Sequence, residues 1–281
     1  MKSGHKQTSG QGGSRRPRAA AHRRGRVRPF LFVGIVLVIA WAGVRHFSNR
    51  PRPGASVKAT NAGATTDAAA VASAETNILT NFPPRQLTKE DSPQLINYGN
   101  SLLAEGKTKE AILVYREALQ LTPEDEEAHF DLAYAYSRNR QLDAAIKEYT
   151  EALRLWPDYP EAHNNLGNLL AARSKFDEAI THFTAALKTS PEYASAMNGL
   201  GKVLVLQGKT QEATGHFSEA MRLDPKNLES RYNLANAFLT LGKIDESIAL
   251  FEEALKIDSR FKLAADGLAR ARQKKQALLK P

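Results

Sequence analysis

Four prolines, Pro123, Pro157, Pro191 and Pro225, stand 34 residues apart, and each closes a run of the same kind: YREALQLT, YTEALRLW, FTAALKTS and FSEAMRLD. A period of this length means that one supersecondary unit recurs and buries its apolar side against its neighbours, which excludes most single-core folds. With the late proline of each unit at position 32, other registers align. Position 8 is Gly99, Ala133, Gly167, Gly201 and Ala235; position 20 is Ala111, Ala145, Ala179, Ala213 and Ser247; position 27 is Ala118, Ala152, Ala186, Ala220 and Ala254. Small residues let helices approach, and Tyr115, Tyr149, Phe183, Phe217 and Phe251 at position 24, with Leu132, Leu166, Leu200 and Leu234 at position 7, fill the space beside them.

This pattern resembles the tetratricopeptide repeat, a helix-turn-helix unit. The resemblance covers residues 92–261 as five repeats, 92–125, 126–159, 160–193, 194–227 and 228–261. It implies an all-α fold: an α-solenoid wound as a right-handed superhelix. Ser259 replaces the proline of repeat five, and the turn glycine of Gly106, Gly208 and Gly242 becomes Arg140 and Ser174 in repeats two and three, which predicts looser turns there. Residues 262–281 read as one more helix with Arg270, Arg272, Lys274 and Lys275 on its exposed side. A solenoid needs a polar cap over its last apolar face, which is the first reading of this helix, with lipid or nucleic-acid binding as the alternative.

The charge lies elsewhere. Residues 1–28 hold nine Lys or Arg and no acid, against a net charge of +9 for the whole chain, so the remainder is balanced. A basic, disordered arm therefore precedes an uncharged run, PFLFVGIVLVIAWAGV, at 29–44, flanked by Arg28 and Arg45. As a helix this run is about 24 Å long, against about 30 Å of hydrocarbon, a gap that snorkelling arginines and modest thinning of the bilayer close. The excess of arginine before it puts the N-terminus in the cytoplasm and the repeats on the far side. The expected setting is a single-pass protein of a bacterial inner membrane with a periplasmic repeat domain. The absence of N-x-Ser/Thr acceptors agrees with that setting. The alternative is cleavage near Ala42, where Ala40-Trp41-Ala42 offers a small-x-small site, leaving a soluble exported protein. Residues 45–91, rich in Ala, Thr, Asn, Ser and Pro, lack any helical or strand period and read as a disordered tether reaching roughly 35–40 Å.

The function classes narrow accordingly. With no cysteine there is neither a thiol nucleophile nor a zinc-thiolate site. No strand precedes Gly10 and Gly12, and no Walker loop, H-E-x-x-H or G-x-S-x-G is present, so no enzyme, cofactor, metal or small-molecule substrate is expected. Glu178 with His182, and Glu212 with His216, are four apart, but two ligands do not make a metal site, and His129 and His163 read as packing between helices.

The remaining polar signal is AHNNLGNLLA at 162–171, where three asparagines weaken a helix that nothing local requires them in. The family resemblance implies that positions 2, 5, 6, 9, 12 and 13 of each first helix face a concave groove. Asn164, Asn165 and Asn168 then share it with Asn97, Asn100, Asn198, Asn233 and Asn236, and repeats two and four add Asp131, Tyr134 and Lys202. Spaced amides offer donor and acceptor to the main chain of an extended peptide, similar to the asparagine ladder of O-linked N-acetylglucosamine transferase. The alternative is that these amides serve neighbouring repeats. Chaperone-tail clamps of the family need Lys at position 5, which here is Ile96, Phe130, Asn164, Asn198 and Tyr232, so that partner is disfavoured. The expectation is a non-catalytic module that binds a peptide or protein, with no nucleic-acid role; a structural scaffold or self-assembly unit is the competing class.

Overall fold

The computed structural model describes residues 87–279. The arm, the apolar run at 29–44 and nearly all of the tether lie outside them. Among the described residues no helix is long and apolar enough to cross a membrane.

A short 3-10 turn, Lys89–Asp91, leads into a series of helices: α1 Ser92–Ala104, α2 Thr108–Leu121, α3 Glu126–Arg138, α4 Leu142–Leu155, α5 Pro160–Ala172, α6 Phe176–Thr189, α7 Ala194–Leu206, α8 Thr210–Leu223, α9 Leu228–Thr240, α10 Ile244–Ile257 and α11 Lys262–Leu278. Each odd helix from α1 to α9 pairs with the even helix after it, and each even helix packs on the next odd one. Successive odd helices also touch, α5 on α7 and α7 on α9 for example, so the stack closes along their side. That side is its inner face.

The repeated small residues do what their spacing implied. Ala111, Ala145, Ala179, Ala213 and Ser247 are fully buried, as are the five alanines at position 27. The rings at position 24, Tyr115, Tyr149, Phe183, Phe217 and Phe251, are buried to 0 or 1% exposure and lie where the three helices of a junction meet. Each such ring contributes roughly 1.5–3 kcal/mol of apolar burial, so the stack gains this much at every junction.

Helix ends follow local chemistry. Asp125 accepts from the Ala128 amide at 2.9 Å to cap α3, and Asn227 accepts from the Ser230 amide at 2.9 Å to cap α9. Each hairpin turns through one left-handed residue: Gly106, Gly208 and Gly242 at φ 79–81°, and Arg140 and Ser174 at φ 61° and 59°. The loosening expected at Arg140 and Ser174 does not occur. The amides of Gln141 and Lys175 donate back to Tyr136 and Leu170 at 2.9 Å, as Lys209 donates to Leu204 at 2.8 Å in a glycine turn. The helix end satisfies its carbonyls in the same way whichever residue occupies the left-handed position. Arg140 and Ser174 adopt the backbone without the freedom of glycine.

The last helix packs on the repeat before it. Ala264, Gly267, Leu268 and Ala271 of α11 are buried against the preceding repeat. Its cations face that repeat as well: Arg272 pairs with Glu252 at 2.8 Å, Lys275 pairs with Asp245 at 2.7 Å, and Lys274 donates to the Leu239 carbonyl at 3.0 Å.

Candidate functional site: the inner face of the odd helices

Position 24 decides how the neighbouring asparagine is used. Where that residue is tyrosine its hydroxyl needs a partner once buried. Tyr115 donates its hydroxyl to Asn100 Oδ1 at 2.6 Å, and Asn165 Nδ2 donates to the Tyr149 hydroxyl at 3.1 Å. Burial, and then the Asp131 carboxylate, push the Tyr115 hydroxyl far above its ordinary range. Where the ring is phenylalanine, the approaching helix can bring glycine instead. A Cβ on Gly199 would lie 2.4 Å from Phe183 Cε1, and one on Gly267 would lie 2.5 Å from Phe251. At the same position of α9 stands Asn233, which donates to Asn198 Oδ1 at 3.0 Å, joining α7 to α9.

The eleven residues expected on one open groove therefore divide. Asp131, Asn164 and Asn198 are buried, at 5%, 3% and 5% exposure. Asn100, Tyr134, Asn165, Asn233 and Asn236 are half-buried. Asn236 donates to the Tyr232 carbonyl at 2.9 Å, a bond inside its own helix. Asn97, Asn168 and Lys202 are exposed, and Lys202 pairs with Glu229 at 3.0 Å. Asn164 Nδ2 reaches only Asn165 Oδ1, at 3.3 Å, and its own buried oxygen has no hydrogen-bond partner.

The histidines take a role that sequence reasoning did not give them. His129 Nε2 lies 3.1 Å from the Pro123 carbonyl and His163 Nε2 lies 2.9 Å from the Pro157 carbonyl; Arg231 Nη1, at the same position of repeat five, donates to the Pro225 carbonyl at 2.9 Å. Position 4 thus satisfies the carbonyl of the proline that ends the preceding repeat, where the helix can no longer supply an amide. The other ring nitrogen meets the second helix. His129 Nδ1 lies 2.7 Å from Glu148 Oε2; burial pulls its pKa down, but the bond to Glu148, helped by the Pro123 carbonyl, outweighs that and raises it. His163 Nδ1 lies 2.9 Å from His182 Nδ1, and burial, with the neighbouring His163, lowers the pKa of His182. Among the described residues no three His, Asp or Glu side chains group to hold a metal.

One cluster was missed. Trp156, 44% exposed, stacks on Tyr159 with centroids 4.4 Å apart; Tyr159 stacks on Phe130 at 4.9 Å; Phe130 meets the Tyr149 ring edge-on at 5.6 Å. Tyr232 and Phe261 repeat the contact between positions 5 and 34, at 5.9 Å. Aromatic residues at positions 5 and 34 of the same repeat were the available signal, but neither belongs to the packing pattern that marks the repeat.

Comparison with known proteins agrees with the geometry. Models of the tetratricopeptide repeat match residues 130–194 and 164–227, and 204–271, and a TPR repeat model matches residues 99–139. Among solved structures, TTC0263, a thermophilic TPR protein of Thermus thermophilus, is 22% identical with a TM-score of 0.54, over 65% of this chain and 99% of its own. YrrB, described as a TPR protein with an unusual peptide-binding site, is 20% identical with a TM-score of 0.53, over 68% of this chain and 96% of its own. Pseudomonas aeruginosa pilF is 20% identical with a TM-score of 0.55, over 67% of this chain and 92% of its own. No curated protein matches by sequence.

Proposed function

Because the chain belongs to the tetratricopeptide repeat family, whose members are in general non-catalytic interaction modules, we propose that its odd helices bind an extended segment of a partner protein along their inner face. The observation that carries this reading is the polar row along that face, part of which already bonds within the stack. It comprises exposed Asn97, Asn168 and Lys202 with half-buried Tyr134, Asn165, Asn233 and Asn236. Side-chain amides held by a rigid stack present donors and acceptors at fixed intervals, as main-chain recognition requires. The described peptide-binding site of YrrB, on the same fold, supports the reading by analogy.

The setting we propose is a membrane tether. The apolar run at 29–44, flanked by Arg28 and Arg45, would anchor the chain, the arm at 1–28 would lie in the cytoplasm, and the tether would hold the repeats away from the outer surface of a bacterial inner membrane.

Binding of mixed-sequence peptides to the full-length chain tests the groove. Asn168→Ala, at an exposed position, should weaken peptides regardless of their side chains by about two- to tenfold, the worth of one hydrogen bond, without changing helicity. Unchanged affinity would assign the amides to the fold alone. Membrane attachment is read separately, by carbonate extraction of the full chain and of a variant lacking 29–44.

A further inference from the structure

Three cations gather at the carboxyl end of α9. Arg270 Nη2 donates to Asn236 Oδ1 at 3.4 Å, Lys274 Nζ donates to the Leu239 carbonyl at 3.0 Å, and Lys243 Nζ stands 5.3 Å from the centre of the Phe238 ring. All three side chains are exposed. Among the described residues none of the three has a carboxylate within 4.0 Å, although Asp266 stands one turn before Arg270 and Glu246 one turn after Lys243. Two other cations of α11 are used differently: Arg272 and Lys275 pair with Glu252 and Asp245 of α10.

The helix end explains only part of this. The carboxyl end of a helix carries about half a negative charge, and Lys274, on a terminal carbonyl of α9, answers it. Arg270 meets a neutral amide and Lys243 a neutral ring, so their charges lack a counter-ion in contact. Donors remain as well: Arg270 spends one of five N–H groups and Lys274 one of three. Their placement selects the ligand. With α11 counted as the first helix of a sixth unit, Arg270 and Lys274 hold positions 9 and 13, one turn apart on one side of the helix. Position 9 is also Asn168, Lys202 and Asn236, so these cations continue the polar row of the inner face. They lean on the odd helix α9, whereas Arg272 and Lys275 lean on the even helix α10. An extended segment lying along the row reaches them at its end, and carboxylates are the side chains that match both the charge and the guanidinium fork.

We propose that the α9–α11 end of the inner face receives acidic side chains of the extended partner, with Arg270, Lys274 and Lys243 donating to their carboxylates. The inference rests on the groove-binding reading above and deepens it. The partner segment carries a short run of Asp or Glu at one end, and that end fixes the direction in which the segment lies along the stack.

The test is fluorescence anisotropy of the full-length chain with a labelled Ala/Ser peptide, acetylated and amidated, that ends in a run of glutamates, beside a matched peptide ending in glutamines. An exposed ion pair is worth up to about fivefold, so several together should make the glutamate peptide bind about tenfold more tightly at low salt. Arg270→Gln and Lys274→Gln, at exposed positions, should each lower its affinity by about two- to fivefold and leave the glutamine peptide unchanged. Arg272→Gln removes an equal charge from the same helix at a site already paired, and should leave both peptides unchanged. The basic arm at 1–28 is common to every variant, and carbodiimide coupling locates the contact: the glutamates should cross-link to Lys274 and Lys243. Cross-links confined to Lys2 and Lys6 of the arm, or equal losses from Arg270→Gln and Arg272→Gln, would overturn the proposal. An oligothymidylate that binds more tightly than the glutamate peptide and loses more from Arg270→Gln would overturn the choice of a protein partner. Equal affinity for the two peptides, both weakened by Asn168→Ala, would overturn the acidic assignment and leave the groove standing. Failure of either peptide to bind at all would overturn the groove reading as well.

Discussion

Gly199 of α7 lies directly against the ring of Phe183, so close that a Cβ would fall 2.4 Å from Cε1. The same ring meets Gly167 of α5, where a Cβ would lie 3.0 Å away. The two contacts order a pair of substitutions. Gly199→Ala should destabilise by about 1–3 kcal/mol, because a rigid buried ring must shift, and Gly167→Ala should cost less. Urea midpoints of the two variants check the order. Equal and small effects would mean that the junction repacks freely.

Tyr149 and Asn165 make the complementary case. Asn165→Ala removes the donor to a buried hydroxyl and should cost about 1–3 kcal/mol. In the Tyr149→Phe background the same change should cost far less, because nothing is left unsatisfied. The coupling energy of that double-mutant cycle is the measurement.

Arg140 and Ser174 hold left-handed backbone at turns where three other repeats use glycine. Arg140→Gly and Ser174→Gly should each stabilise the stack by about 1 kcal/mol. Gly208→Ala should destabilise by a similar amount through backbone conformation alone, since nothing lies within 4 Å of the added Cβ. Thermal melts of the three variants decide it, and a destabilising Arg140→Gly would contradict the account.

Two histidine contacts give opposite pH dependences. His129 has a raised pKa beside Glu148, so its contribution is fully present below about pH 6.5 and is lost as pH rises through the higher folded value. His182 has a lowered pKa against His163, so the unfolded chain binds its proton first, and stability falls as pH drops from about 6.5 through the lower folded value. The neutral pair needs one donating and one accepting Nδ1. Replacing His182 by Gln should therefore flatten the acid side of the stability profile, and replacing Glu148 by Gln should remove stability at acid pH more than at pH 8. Urea midpoints between pH 5 and 8 measure both.

The fold was legible because it is written in a repeated size code. Small residues at positions 8, 20 and 27 and a ring at position 24 require hairpins stacked at a constant interval, and the structure has them. The site was less legible. Register gave the side of the helix for Asn164 and Asn198, but whether an amide on that side reaches solvent depends on the residue across the junction. The Tyr149 hydroxyl draws Asn165 inward, and Asn198 turns to Asn233, contacts between residues 16 and 35 apart in sequence. The left-handed Arg140 escaped a rule built on glycine. The Trp156 stack escaped because its members fall outside the packing positions.

The central claim is that the odd helices form the binding face while the even helices only support it. Hydrogen exchange of the full-length chain, with and without a saturating mixed-sequence peptide, tests this most directly. Slowed exchange in α3, α5 and α7, with α4, α6 and α8 unchanged, is the predicted result. Protection concentrated on α4, α6 and α8 would contradict it.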